Sequence, residues 1–130
     1  MRSDAQAPPS KIKFHRQTQE LELLFGDQSY RLSAEFLRVH SPSAEVRGHG
    51  EGEAVLQFGK QRVTIDKLEP CGNYALKLVF SDGHDSGLYS WGYLKELCSN
   101  QAELWQSYLE KLHQAGLSRD PELQVIKLIT

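Results

Sequence analysis

The side chains with the widest chemical range in this chain are its histidines and the carboxylates near them. His40 and His49 flank a loop segment, Glu45 within it and Glu51 and Glu53 just after it add oxygens, and His84 stands in a later turn. Two or three imidazoles with a carboxylate suit zinc, iron or nickel, which accept nitrogen and oxygen donors together. The plainer reading is that the loop groups are solvated and that His84 hydrogen-bonds backbone in its turn. His49-Gly50-Glu51 also forms the H-x-E half of a two-histidine, one-carboxylate iron site, with His84 or His113 as the distal imidazole. That chemistry belongs on a double-stranded β-helix, and too few strands remain here to build one.

Asp82, His84, Asp85 and Ser86 bring the residue types of a nucleophilic triad into one short stretch. Triads are assembled by geometry across a fold, and no nucleophile-elbow signature is present, so a turn explains the cluster better. Asp82-Gly83 supplies that turn, because aspartate bonds its own backbone and glycine takes a positive φ. Cys71 and Cys98 lack C-x-x-C spacing, which argues against a redox pair or a zinc knuckle. Two single cysteines also cannot hold an iron–sulfur cluster in one monomer, and each reads as a small packed hydrophobe. Tyr89, Trp91 and Tyr93 offer either a stacking platform or core residues with one polar tip, the commoner outcome at this spacing.

The elements that must position these groups follow from periodicity. Ile12 and Phe14 alternate with polar neighbours, and Leu21, Leu23 and Phe25 repeat the pattern up to Gly26-Asp27, which predicts a hairpin. Tyr30 and Leu32 form the inward face of the returning strand, and Ser33 caps a short helix over Glu35, Phe36 and Leu37. Residues 39–53 lose all periodicity and form a long loop. Structure resumes at Ala54–Phe58, turns at Gly59-Lys60, and continues through Val63, Ile65 and Leu68 to the strand of Tyr74, Leu76, Leu78 and Phe80. Ser90 caps a helix carrying Tyr93, Leu94 and Leu97, and Asn100-Gln-Ala-Glu103 has the spacing of a capping box before the next. There Leu104, Trp105, Tyr108, Leu109 and Leu112 make one stripe, ended by Gly116. Strands followed by two helices give an α+β domain, a small antiparallel or mixed β-sheet with the two C-terminal helices on one side.

Size and charge bound the function. A chain of 130 residues, 39% hydrophobic and 25% charged, fits one domain that buries a core without a staple. A net charge of −2 with scattered Lys and Arg argues against nucleic acid as a partner. No run approaches the roughly 20 apolar residues that span a bilayer, so membrane association is not expected and a reduced cytoplasmic setting is. Residues 1–11 read as a disordered lead, 12–116 as the domain, and 117–130 as a tail that adds an edge strand or docks on a partner.

Two motifs then carry a resemblance. Gly72-x-Tyr74-Ala75-Leu76 leads into Phe80-Ser-Asp82-Gly83-His84-x-Ser86-Gly87-Leu88-Tyr89-Ser90-Trp91-x-Tyr93-Leu94, and Leu37-Arg38-x-x-Ser41-Pro42-Ser43-Ala44-Glu45 precedes both. Together they resemble the small domain at the N-terminus of gamma-butyrobetaine hydroxylase, whose stand-alone bacterial versions are catalogued as a domain of unknown function. The likeness covers about residues 15–113. In the hydroxylases the iron and 2-oxoglutarate chemistry lies in a separate jelly-roll domain, and the resemblance implies for this domain a zinc site of three cysteines and a histidine. The matching positions here are Ser41, Ser43, Val46 and His84, so only the histidine is a ligand type, and the resemblance implies a lost zinc site.

Two function classes follow. The first is a non-catalytic binding or adaptor domain, because the family domain also resembles one appended to iron–sulfur carrier ATPases and so accompanies unrelated catalytic units. Its partner would be another protein, met through the face near Trp91 or through Val125, Ile126 and Ile129 in the tail. The second is a metal-binding protein or metalloenzyme holding zinc or iron on His40, His49 and His84.

Overall fold

The computed structural model describes residues 6–43, 46 and 54–123. Three strands come first: β1 (Lys11–His15), β2 (Glu20–Phe25) and β3 (Gln28–Ser33), antiparallel in the order β1-β2-β3. Along β2 the alternation does what the period requires: Leu21, Leu23 and Phe25 are buried. Its other face carries cross-strand polar contacts, a Glu22–His15 hydrogen bond at 2.6 Å and a Glu20–Arg31 ion pair at 3.0 Å. Phe25 pairs with Gln28 across the two-residue Gly26-Asp27 turn, with Gly26 at φ 60°, so the predicted hairpin forms.

Ser33 ends β3 and caps helix α1 (Ala34–Val39), its hydroxyl accepting the Phe36 N–H at 3.0 Å as the sequence predicts. All six helical residues are buried. Two tyrosines from the far end of the chain close its C-terminal carbonyls: Tyr89 donates to Leu37 O (2.5 Å) and Tyr93 to His40 O (2.7 Å).

A second antiparallel sheet, β4-β5-β6, contains β4 (Ile65–Cys71), β5 (Ala75–Phe80) and β6 (Asp85–Ser90). The strands therefore divide into two three-stranded sheets rather than forming one. Pro70 is tolerated because β4 is an edge. Leu76, Leu78 and Phe80 are buried, but Tyr74, expected on that inward face, sits in the preceding turn and is 57% exposed. Between β5 and β6 the register shifts, and the Leu78 N–H is taken by the Ser86 side chain (3.0 Å) instead of a ladder carbonyl, with Gly87 at φ 73°. Ala54–Phe58, where regular structure is expected to resume, is in neither helix nor strand. Its groups bond singly, Val55 N–H to Val46 O and Gln57 O to the Tyr108 hydroxyl, with no neighbouring strand among the described residues to build a ladder.

Helices α2 (Trp91–Ser99) and α3 (Gln101–Ala115) complete the described fold. Ser90 caps α2 through the Tyr93 N–H (3.1 Å) as expected, and Gly116 ends α3 at φ 69°. The capping box at Asn100 does not form. Asn100 closes α2 instead, its amide donating to Glu96 O at 3.1 Å, because one residue joins the two helices and serves the first. Helix α2 touches β3 of one sheet and β6 of the other, and both sheets feed one core with Phe36, Leu37, Leu94 and Leu97. Gln19 also joins the sheets: at φ 56° it accepts the Ala34 N–H on its carbonyl (2.9 Å) and the Ile65 N–H on its side chain (2.8 Å).

Candidate functional site

The segment leaving α1 and the turn between β5 and β6 meet in a buried polar knot of Ser41, Ser43, His84 and Ser86. Ser41 and Ser86 are fully buried and His84 nearly so. The Ser41 hydroxyl donates its proton to Ser86 O at 2.9 Å. Its oxygen must therefore accept from His84 Nε2 at 2.9 Å, and it also accepts the Ser43 N–H at 3.2 Å. Ser43 Oγ lies 3.2 Å from the same Nε2. His84 thus presents a proton to Ser41, the reverse of a general base activating a nucleophile. Ser86 Oγ is spent on the backbone, accepting from Leu78 and donating to Gly87 O at 2.8 Å.

Asp82 completes the turn without joining a triad. Its carboxylate accepts from Lys60 (2.7 Å), from Arg38 Nε (2.9 Å) and from the His84 backbone N–H (3.2 Å). Burial opposes its ionisation, but Lys60, that N–H and Arg38 together outweigh burial and hold the pKa at about 2. Gly83 takes φ 83°, as the Asp-Gly turn predicts.

His40 stands at the end of α1, its ring 4.5 Å from that of Phe36. Nδ1 lies 2.9 Å from Phe36 O, an acceptor only, so Nδ1 carries the proton of the neutral ring. Burial lowers its pKa, the Phe36 carbonyl opposes this, and Lys111 adds to it. His40 and His84 are thus each tied to different partners. His49 and Glu51 lie outside the described residues, and His113 is exposed on α3. Among the described residues no three His, Cys, Asp or Glu side chains gather as a metal site requires. Cys98 is buried, with its thiol pushed up to about 12 by desolvation, which suits packing.

Trp91 is 7% exposed and donates its indole N–H to Asn73 O at 2.7 Å, so it is a core residue with a polar tip. Val125, Ile126 and Ile129 lie outside the described residues. One pair escaped sequence reading. The Arg119 guanidinium donates twice to the buried Glu35 carboxylate (2.7 and 2.8 Å) and stacks 5.0 Å from the Trp105 centroid. Its partners are 84 residues apart, and no local spacing reports such a pair.

Beside α3 lies a cavity of about 240 Å³ lined by residues that include Val39, His40, Leu56, Leu104, Ser107 and Lys111. A second depression, of about 380 Å³, is lined by Phe58, Gly59, Leu117, Ser118, Asp120, Pro121 and Leu123.

Residues 12–95 match the family described as gamma-butyrobetaine hydroxylase-like, N-terminal. The chain belongs to that family. Among solved structures, this gamma-butyrobetaine hydroxylase-like domain is similar to a protein solved by NMR in solution, at 54% identity over 96% of this chain and 99% of the other, with a TM-score of 0.81. A second NMR structure is 47% identical over 100% of this chain and 99% of its own, with a TM-score of 0.76. A crystal structure of a DUF971 protein of unknown function from Acidithiobacillus ferrooxidans is 31% identical, covering 73% of this chain and 97% of its own, with a TM-score of 0.54. No curated protein matches the chain.

The positions at which the resemblance implies zinc ligands do not fit zinc in this family member. Ser41 and Ser43 offer hydroxyls already engaged by His84 or by backbone, and the buried Val46 has no donor atom. Hydrogen bonds tie together at least three of the four positions.

Proposed function

We propose that this domain is a non-catalytic adaptor that docks a partner protein on an apolar face built from Phe58, Leu117 and Leu123. The observation that carries this reading is the exposure of Phe58 (53%) and Leu123 (56%) around one depression held by backbone hydrogen bonds. Gly59 N–H bonds Ser118 O at 2.8 Å and Gln61 N–H bonds Arg119 O at 3.0 Å, while the Glu35–Arg119 pair anchors the same segment from below. Large apolar side chains held rigidly in water lose little entropy when a partner covers them. The chain continues from this face into Val125, Ile126 and Ile129, which extend the apolar character in sequence. The partner is a protein that presents an apolar segment. The family likeness supports an adaptor role, as the resembling domain accompanies oxygenase and iron–sulfur carrier units.

The test is site-specific photo-crosslinking in native cytosol from position 58, with position 88, an exposed leucine on β6, as control. A discrete adduct from 58 but not 88, lost in Phe58→Glu/Leu123→Glu with thermal unfolding unchanged, is the expected result. Equal adducts from both positions would refute the docking face. Elemental analysis adds a second arm: stoichiometric zinc or iron, lost in His84→Ala, would favour the metal-binding alternative on His40, His49 and His84.

A further inference from the structure

Helix α3 turns two faces to the protein. Trp105, Tyr108, Leu109 and Leu112 cover the small cluster with Val39, as an amphipathic helix should. Leu104, Ser107, Tyr108 and Lys111, at i, i+3, i+4 and i+7, form an adjacent stripe that lines the cavity of about 240 Å³. Val39, Val55 and Leu56 form an aliphatic part of the wall. Two of the polar groups there are committed to the fold: the Tyr108 hydroxyl donates to Gln57 O (2.9 Å) and that of Tyr93 to His40 O (2.7 Å). Ser107 and Lys111 make no side-chain hydrogen bond or ion pair among the described residues. His40 also lines the cavity, and with Nδ1–H on the Phe36 carbonyl its remaining ring nitrogen is an acceptor.

We propose that this cavity binds a small aliphatic carboxylate carrying a hydroxyl or amino group. Lys111 and Ser107 receive the carboxylate, His40 Nε2 accepts from the hydroxyl or amine, and the short carbon chain lies on Val39, Leu56 and Leu104. Lys111 is the one lysine or arginine among the described lining residues, and a single cation suits one carboxylate better than a doubly charged phosphate. The volume falls below the roughly 300–1,000 Å³ of pockets for drug-sized ligands, which sets the size class. The cavity is separate from the Phe58–Leu123 face, so this site stands or falls independently of the adaptor reading.

Titration of the full ¹⁵N-labelled chain with 3-hydroxybutyrate tests it, with butyrate and 1,3-butanediol as comparison probes. Expected are saturable amide shifts at residues 39–40, 56 and 107–111 with the hydroxy acid, weaker binding of butyrate, and none of the diol. Lys111→Met should weaken binding by about tenfold, equivalent to about 1.4 kcal/mol, with the melting temperature unchanged. His40→Phe, which keeps a ring in the wall, should erase the preference for the hydroxy acid over butyrate. The absence of saturable shifts at millimolar probe, shifts centred elsewhere, or equal affinity in Lys111→Met would each overturn the proposal.

Discussion

The polar knot around His84 and the cavity beside α3 lie at opposite extremes in how they use polar atoms. In the knot, Ser41 alone donates one hydrogen bond and accepts two, and no buried side-chain nitrogen or oxygen among the described residues lacks a partner. In the cavity, a cation and a hydroxyl at helical spacing face aliphatic walls without partners among the described residues. A group consumed by the fold stabilises it, and a group left over is available to something else. Residue types alone invert this contrast, because the Ser and His of the knot, with Asp82 beside them in the turn, look like chemistry and the Ser and Lys of a helix look like solvent.

Substitutions can break or sharpen the contrast. The largest loss is expected for Arg119→Ala, which strands the buried Glu35 carboxylate. Urea unfolding should show about 2–3 kcal/mol of destabilisation, below the usual figure for a fully buried pair because Arg119 is partly exposed. His84→Leu should cost about 2 kcal/mol and Ser41→Ala about 1–2 kcal/mol by the same measurement, since each leaves buried hydrogen-bonding groups unmet. If either is neutral, the knot is not what holds the Ser41 segment to β6.

A smaller effect should appear in acid. Asp82 ionises at about 2 in the folded state against an ordinary 3.8, so between those values the unfolded chain binds more protons. The contribution of Asp82 is therefore present above pH 3.8 and lost as pH falls toward 2. Asp82→Asn should flatten that part of a stability–pH profile measured by thermal unfolding. Smallest of all, Lys111→Met and Ser107→Ala should shift stability by less than about 0.5 kcal/mol, as surface changes do. A larger loss would place both residues with the knot, as structural groups.

Much of the fold was legible locally. The Gly26-Asp27 and Asp82-Gly83 turns, the Ser33 and Ser90 caps and the Gly116 stop each depend on one residue type in one backbone conformation, which neighbouring sequence is enough to reveal. The misreadings have different causes. Ala54–Phe58 is apolar enough for regular structure but meets no neighbouring strand among the described residues, which tertiary context decides, whereas Asn100 has the spacing of a cap but is claimed by the helix before it, a competition between adjacent elements.

The sequence by itself determined the class of fold, the family and the absence of cysteine at the Ser41, Ser43 and Val46 positions, because periodicity, turn chemistry and residue identity are local properties. Only the tertiary structure decided the division into two sheets, the pairing of Glu35 with Arg119 across 84 residues, and the direction of the proton between His84 and Ser41. Those depend on which groups meet at hydrogen-bonding distance, and chain order does not encode that distance.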